Sequence, residues 1–322
     1  MNEEHFWKTI LTALEQGKQA VLVVIINQTG SAPNVPGAKM YVTLDNIIGT
    51  VGGGISEHNL FNRARTLLSE GKFSVETVHM EHNDTAQENR SGMICDGSQT
   101  FALISLGKQN IQTIKKIMKS YAKTRPGVLT INEKGICFDS GNTLANDRIY
   151  SENNTSWTYQ ENIGIQDRLF CIGGGHVSLA LSRIIETLGF HITVIDNRNK
   201  LPTMVANTYA HEKKIISYDN IATNIPEGDN VYVVIITFAH ISDELVLEEI
   251  IAKKCRYIGM IASSTKKLTV FTNLEKKGIS KDLLDSIHSP IGMSIKSHTP
   301  EEIAISIAAE IILVKNSNTI NS

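Results

Sequence analysis

Cysteine is scarce: the 322-residue chain has four, Cys95, Cys137, Cys171 and Cys255, widely separated and with no Cys-x-x-Cys pair. That spacing argues against a disulfide framework or a zinc finger and suits a reduced, intracellular chain. Charge of one sign is also lacking. The formal net charge of −2 offers no electrostatic footprint for nucleic acid or an anionic membrane surface. The lysine pairs Lys115-Lys116, Lys213-Lys214 and Lys266-Lys267 are scattered and read as solvated faces. No apolar run approaches the roughly 20 residues that span a bilayer. The most apolar stretch, 303–314, is short and carries Glu310, the pattern of a buried core helix. The opening Met1-Asn2-Glu3-Glu4-His5 is acidic where a secretory leader would be basic, so the expected compartment is the cytoplasm. There is no internal repeat and no low-complexity tract.

What remains is an ordinary globular composition, 41% hydrophobic and 20% charged, in a chain long enough for two domains. Phe6, Ile10, Leu11 and Leu14 share one helical face, and Gly17 follows as a C-cap. The β-branched run 21–26 reads as a buried strand. After a loop rich in turn residues, 40–44 and 47–51 form a hairpin about Asp45-Asn46. Gly52-Gly53-Gly54 opens a helix over 55–68, and strands follow near 73–80 and 99–106. Residues 108–165 are least informative: a helix over 111–121, short strands or turns over 127–136, then a polar stretch. From Arg168 strands and helices alternate, the signature of a parallel sheet covered on both faces. The expected fold class is α/β. An N-terminal mixed α/β domain (1–110) and a connecting segment (111–165) lead to a Rossmann-type doubly wound domain (166–316) and a tail (317–322).

The sharpest motif is Cys171-Ile172-Gly173-Gly174-Gly175-His176-Val177-Ser178, set between a predicted strand and a predicted helix. Gly173 permits the tight turn and Gly175 lets backbone approach a phosphate at the helix start. Asp196 ends the next strand, where an acid can bind a ribose hydroxyl and favour NAD over NADP. Ser178 replaces the third glycine. The same glycines also fit a turn that serves only helix–strand packing. Gly49-Thr50-Val51-Gly52-Gly53-Gly54 is a second glycine-rich junction, either an anion site or a bare turn. Glu57 in its first helical turn is unfavourable beside an anion, so it is expected to cap the helix or reach elsewhere. Cys95, in Ser91-Gly92-Met93-Ile94-Cys95-Asp96-Gly97, is the candidate nucleophile or soft-metal ligand. The other three cysteines sit in or beside strands and read as core. His176 and His240 could line the cleft at the carboxyl ends of the C-terminal strands.

Together these blocks resemble the xanthine dehydrogenase accessory factor family (XdhC/CoxI). The resemblance runs through Gly30-Ser31-Ala32-Pro33, Pro36-Gly37-Ala38-Lys39-Met40, residues 49–54 with Glu57, and Gly92-Met93-Ile94-Cys95. It continues through residues 173–177, 257–263 and 289–292, and through Thr299-Pro300-Glu301-Glu302-Ile303-Ala304. It implies a factor that binds molybdenum cofactor (molybdopterin), supports its sulfuration and inserts it into a molybdenum hydroxylase such as xanthine dehydrogenase, more chaperone than catalyst. A sulfur-donating desulfurase and a homodimeric state are further implied. Cys95 becomes the suspected cofactor and metal ligand. Lys39, Gly52, Gly53, Gly54, Gly173 and Gly175 become candidates for holding the pterin phosphate.

Two departures stand out. The chain has Cys95-Asp96-Gly97 where the family commonly has Cys-Gly-Gly, and Thr237-Phe238-Ala239-His240 where it often has Thr-His-Asp-His. The second departure removes acid–base groups from the C-terminal cleft. It weakens the alternative reading, an NAD(P)-dependent oxidoreductase resting on Gly173, Gly175 and Asp196.

Overall fold

The β-branched run near the N-terminus sets the first layer. In the structure, a computed structural model that describes residues 3–71, 73–81, 97–123, 125–153 and 155–317, it becomes strand β1 (Ala20–Gly30). Leu22, Val24 and Ile26 face one core; Val21, Val23 and Ile25 face another. A strand buried on both faces reads as a continuous apolar run, because the period of two puts every residue inside. β1 is central to an antiparallel sheet of order β3-β2-β1-β5-β4, with β2 (Lys39–Val42), β3 (Ile47–Gly49), β4 (Val75–Glu81) and β5 (Gly97–Leu106). Helix α1 (Glu3–Glu15) covers one face with Phe6, Trp7, Ile10 and Leu14, and α2 (Gly54–Glu70) covers the other with Leu60, Ala64 and Leu67.

Residues 111–165, expected as a connecting segment, are instead built into this first unit. Helix α3 (Ile111–Ala122) is followed by β6 (Gly127–Asn132), β7 (Gly135–Ser140), β8 (Arg148–Glu152) and β9 (Trp157–Ile163). These four strands make a second antiparallel sheet of order β7-β6-β9-β8. Leu129, Ile131, Phe138, Tyr159 and Ile163 share the core of α1, α3 and β1. The polar composition of 140–163 comes from outward-facing residues and from a buried acid, Glu161. Cys137, expected in the core, is exposed on β7; Cys171 is buried and Cys255 half-buried.

The second unit starts at Gln166. Its parallel sheet runs β12-β11-β10-β13-β14, from β10 (Arg168–Ile172), β11 (His191–Asp196), β12 (Glu212–Ile215), β13 (Gly228–Ile235) and β14 (Cys255–Met260). In chain order this is 3-2-1-4-5, the doubly wound Rossmann arrangement, with its switch point between β10 and β13. Helices α4 (His176–Thr187), α5 (Pro202–Ala206), α6 (His240–Ile250), α7 (Ser264–Lys276), α8 (Lys281–Asp285) and α9 (Pro300–Asn316) complete it. One face packs on α4 and α9, through Leu181, Ile185, Ala304, Ile307 and Ile311. The other packs on α6 and α7, through Val246, Leu247, Val270 and Leu274. Helix α9 opens on a capping box: Thr299 accepts the Glu302 amide, and Glu302 accepts the Thr299 amide.

Candidate functional site

Two of the sequence blocks and Gly97 meet at one end of the first sheet. Gly30, closing β1, pairs with Gly97, opening β5. A Cβ at Gly97 would lie 2.4 Å from the Ser31 carbonyl oxygen and 2.5 Å from that of Thr29, so only glycine lets the two backbones approach this closely. The buried Gln99 amide donates to the Asn34 carbonyl at 2.7 Å, and Gly52 lies against Pro33. Cys95 and its neighbours Gly92, Met93, Ile94 and Asp96 lie outside the described residues. Gly97, two residues beyond Cys95, is fixed beside the Ser31–Pro33 turn and brings the end of the cysteine loop to this corner.

The glycine nest at 52–54 holds an anion, but an internal one. The Glu57 Oε2 accepts the Thr50 hydroxyl at 2.6 Å, the Val51 amide at 2.8 Å and the Gly53 amide at 3.2 Å. Burial works against the charged carboxyl, yet these donors outweigh it and hold it below its ordinary value. Glu57, expected to cap the helix or reach elsewhere, turns back onto the amides at the start of α2 and is itself the anion there. Gly52, Gly53 and Gly54 therefore do not fit a pterin phosphate while Glu57 stays in place. Glu57→Gln should lower stability by about 1 kcal/mol at neutral pH, since charge-assisted bonds become neutral ones. A carboxyl depressed on folding contributes fully above its ordinary range, and the contribution is lost as pH falls through its folded value. Urea melts of parent and variant should therefore converge in acid; an unchanged gap there would remove Glu57's charge from the account.

Lys39 is engaged in the same way. Its ammonium lies 2.8 Å from Glu3 Oε1, 2.7 Å from Glu161 Oε1 and 2.9 Å from the Gly37 carbonyl. The ammonium donates to Glu3 and to the Gly37 carbonyl and forms a close ion pair with Glu161. The Lys39 side chain is 7% exposed and that of Glu161 3%. Tyr121 donates to Glu3 Oε2 at 2.8 Å and Tyr159 to Glu161 Oε2 at 2.9 Å. Burial opposes the charge on Lys39, but the two carboxylates overcome it and raise its pKa. Lys39 thus ties α1, β2, α3 and β9 together, buried and neutralised by two carboxylates of this chain, which does not fit its expected role as a phosphate ligand.

In the second unit the glycine turn behaves as its spacing predicts. Gly173 has φ +112°, and a Cβ there would lie 2.3 Å from the Ile236 carbonyl oxygen. Its amide donates to Ile195 at 2.7 Å, tying β10 to β11. Gly175 has φ −75°, caps α4 without a side chain and has no atom within 4 Å of a would-be Cβ. His176, the first helical residue, is exposed. Ser178 is buried, one turn into α4. Burial pushes the Cys171 thiol up to about 12, so it is no nucleophile.

Asp196 departs from expectation. It is fully buried. Oδ1 accepts the Arg198 amide at 2.8 Å and Arg198 Nε at 2.9 Å, while Oδ2 accepts the Gly174 amide at 2.7 Å and Arg198 Nη2 at 2.8 Å. Burial opposes its charge, but the Arg198 fork and the two amides prevail and depress its pKa. A carboxylate has about four lone-pair sites, and all are taken, so Asp196 has none for a ribose diol. Arg198 in turn lies 4.6 Å from the Phe238 ring centroid. Sequence reasoning missed Arg198; its place two residues after the acid was the available signal. It also missed Asp243, a fully buried acid on α6 that accepts the Thr237 hydroxyl at 2.6 Å and the Lys266 ammonium. That pair ties β13, α6 and α7 together. Among the described residues no three His, Cys, Asp or Glu side chains are grouped to hold a metal, and no helix is long and apolar enough to cross a membrane.

Comparison with known proteins fits this geometry. The XdhC and CoxI family matches residues 13–79, and the XdhC Rossmann domain matches residues 169–311. The chain belongs to the XdhC and CoxI family. Among curated relatives, a Bacillus subtilis (strain 168) protein named as a probable xanthine dehydrogenase subunit is 23% identical, over 94% of this chain and 96% of its own. The Escherichia coli (strain K12) uncharacterized protein YqeB is 31% identical over 159 residues, 48% of this chain but 28% of YqeB. The crystal structure of a xanthine dehydrogenase from Bacillus halodurans superposes with a TM-score of 0.79 at 21% identity, covering 100% of this chain and 98% of that one. At that identity the likeness speaks for the family's fold.

Proposed function

We propose that this chain is a xanthine dehydrogenase accessory factor. It binds molybdenum cofactor, supports its sulfuration by a desulfurase and passes it to a molybdenum hydroxylase. Family membership carries the reading, together with end-to-end similarity to a relative whose name ties it to xanthine dehydrogenase. The corner where residues 30–34, the 52–54 nest and Gly97 converge supports it, because the end of the cysteine loop is delivered there. Since Lys39 and the nest are occupied by this chain's own carboxylates, Cys95 is the residue through which the first unit would hold the cofactor. A thiolate is a soft ligand suited to molybdenum and to persulfide chemistry. In this reading the factor works in the cytoplasm as a homodimer and meets its client transiently, through a contact smaller than about 1,200 Å².

The test is co-elution of molybdenum cofactor with parent, Cys95→Ala and Cys137→Ala proteins, with mass read by light scattering on the same column. Parent and Cys137→Ala should retain the cofactor as dimers, and Cys95→Ala should lose it. Cys137 is a fair control because it is exposed, so its replacement leaves the core intact. Equal retention by both variants would take Cys95 out of the site. A monomeric parent would remove the dimer.

A further inference from the structure

The saturation of Asp196 changes what the second unit can recognise. In a Rossmann sheet the loop after the second strand meets the adenosine ribose, and a free carboxylate there reads the 2′-hydroxyl. Here that carboxylate is buried and closed on all sides by Gly174 and Arg198. What the loop presents instead is Arg198. Its fork is fixed by Asp196, one face rests on Phe238, and its side chain is 36% exposed. A guanidinium has five N–H groups. Two go to Asp196, and no other described residue accepts the remaining three. Lys200, two residues on in the sequence, is also exposed. Phe238 is 68% exposed and follows β13, across the switch point from the Arg198 loop. The two residues form a planar, cationic platform where an adenosine would lie. Opposite, Gly175 leaves the start of α4 clear.

We propose that Arg198 sets the specificity of this cleft, making it a reader of a 2′-phosphorylated adenine nucleotide rather than of a ribose diol. Asp196 acts through Arg198: it neutralises the inner edge of the guanidinium and orients its outer N–H groups. Phe238 backs the guanidinium against which the adenine stacks. The role is binding alone, and it does not depend on the molybdenum-cofactor reading, which concerns the first unit.

Isothermal titration of the full-length protein with NADP+ and with NAD+ tests this directly. NADP+ should bind at least about tenfold more tightly, the margin expected of a charge-assisted phosphate contact. Arg198→Ala should remove that margin: both nucleotides lose the stacking surface, and NADP+ should weaken about tenfold more than NAD+. Because Arg198→Ala strands a buried carboxylate and could unfold, Phe238→Ala is the second variant. An exposed ring tolerates removal, and its loss should weaken both nucleotides alike. In competition, 2′-AMP should displace NADP+ better than 5′-AMP. NAD+ binding as well as NADP+ or better would overturn the proposal, as would no heat with either at millimolar concentration.

Discussion

Lys39→Met is expected to destabilise the protein by about 3–5 kcal/mol, the loss typical of removing one partner from a buried ion pair. The methylene stem keeps its packing, but Glu161, 3% exposed, loses the ammonium 2.7 Å away. Burial already lifts the Glu161 carboxyl above its ordinary value; without Lys39 it rises further and the acid takes up a proton. A group whose pKa is raised on folding contributes fully at low pH and loses that contribution as pH rises through its folded value. The variant's deficit should therefore be largest above neutrality and shrink in acid. Adding Glu161→Gln keeps an acceptor for Tyr159 and removes the stranded charge, so the double variant should recover much of the loss. Urea denaturation across pH checks all three points. A deficit below about 1 kcal/mol would mean the cage is not structural, and Lys39 would return as a phosphate ligand.

The second large effect separates two glycines of one turn. Gly173→Ala should cost about 3 kcal/mol or more or abolish soluble expression, since it combines a positive φ with a carbonyl oxygen 2.3 Å from the new methyl. Gly175→Ala should change stability by less than about 1 kcal/mol, because its φ is ordinary and its surroundings are open. Thermal melts compare the two. The contrast gives a working tool: Gly175→Val fills the clear space at the start of α4 without straining the turn, so it should block nucleotide and keep the fold. If Gly173→Ala melts like the parent, the strand-to-helix turn is not the close approach described.

The fold was legible where local pattern and tertiary role agree. The run 21–26, the hairpin about Asp45-Asn46 and the alternation after Arg168 all carry their own signals, and each became the expected element. β8 and β9 did not, for two reasons. β8 is an edge strand with no buried residue, so it has no apolar period to detect. β9 alternates Tyr159, Glu161 and Ile163 on its inner face. A buried acid in the middle erases the hydrophobic signal, and only its partner Lys39, from another sheet, explains it. The candidate site was half legible for the same reason. Residue types at Lys39, Glu57 and Asp196 advertise chemistry, but whether a charged group is free depends on partners that spacing does not reveal. Glu57 found its donors within one loop, Asp196 in its own loop and in the Gly174 turn, and Lys39 found its second carboxylate in the far half of the unit.

That last pairing reaches into how the chain is made. Lys39 and the inner face of β1 leave the ribosome early, but Glu161 and Tyr159, which complete their surroundings, follow roughly 120 residues later. At about 5–20 residues per second that is a delay on the order of 10 s. During it Leu22, Val24 and Ile26 lack the half of their core supplied by Leu129, Ile131 and Tyr159. A fragment ending near residue 110 would stay in that state, presenting an apolar sheet face and a lysine without its inner counter-ion. The first 165 residues are therefore the smallest piece of the N-terminal half that can be synthesised as a finished object.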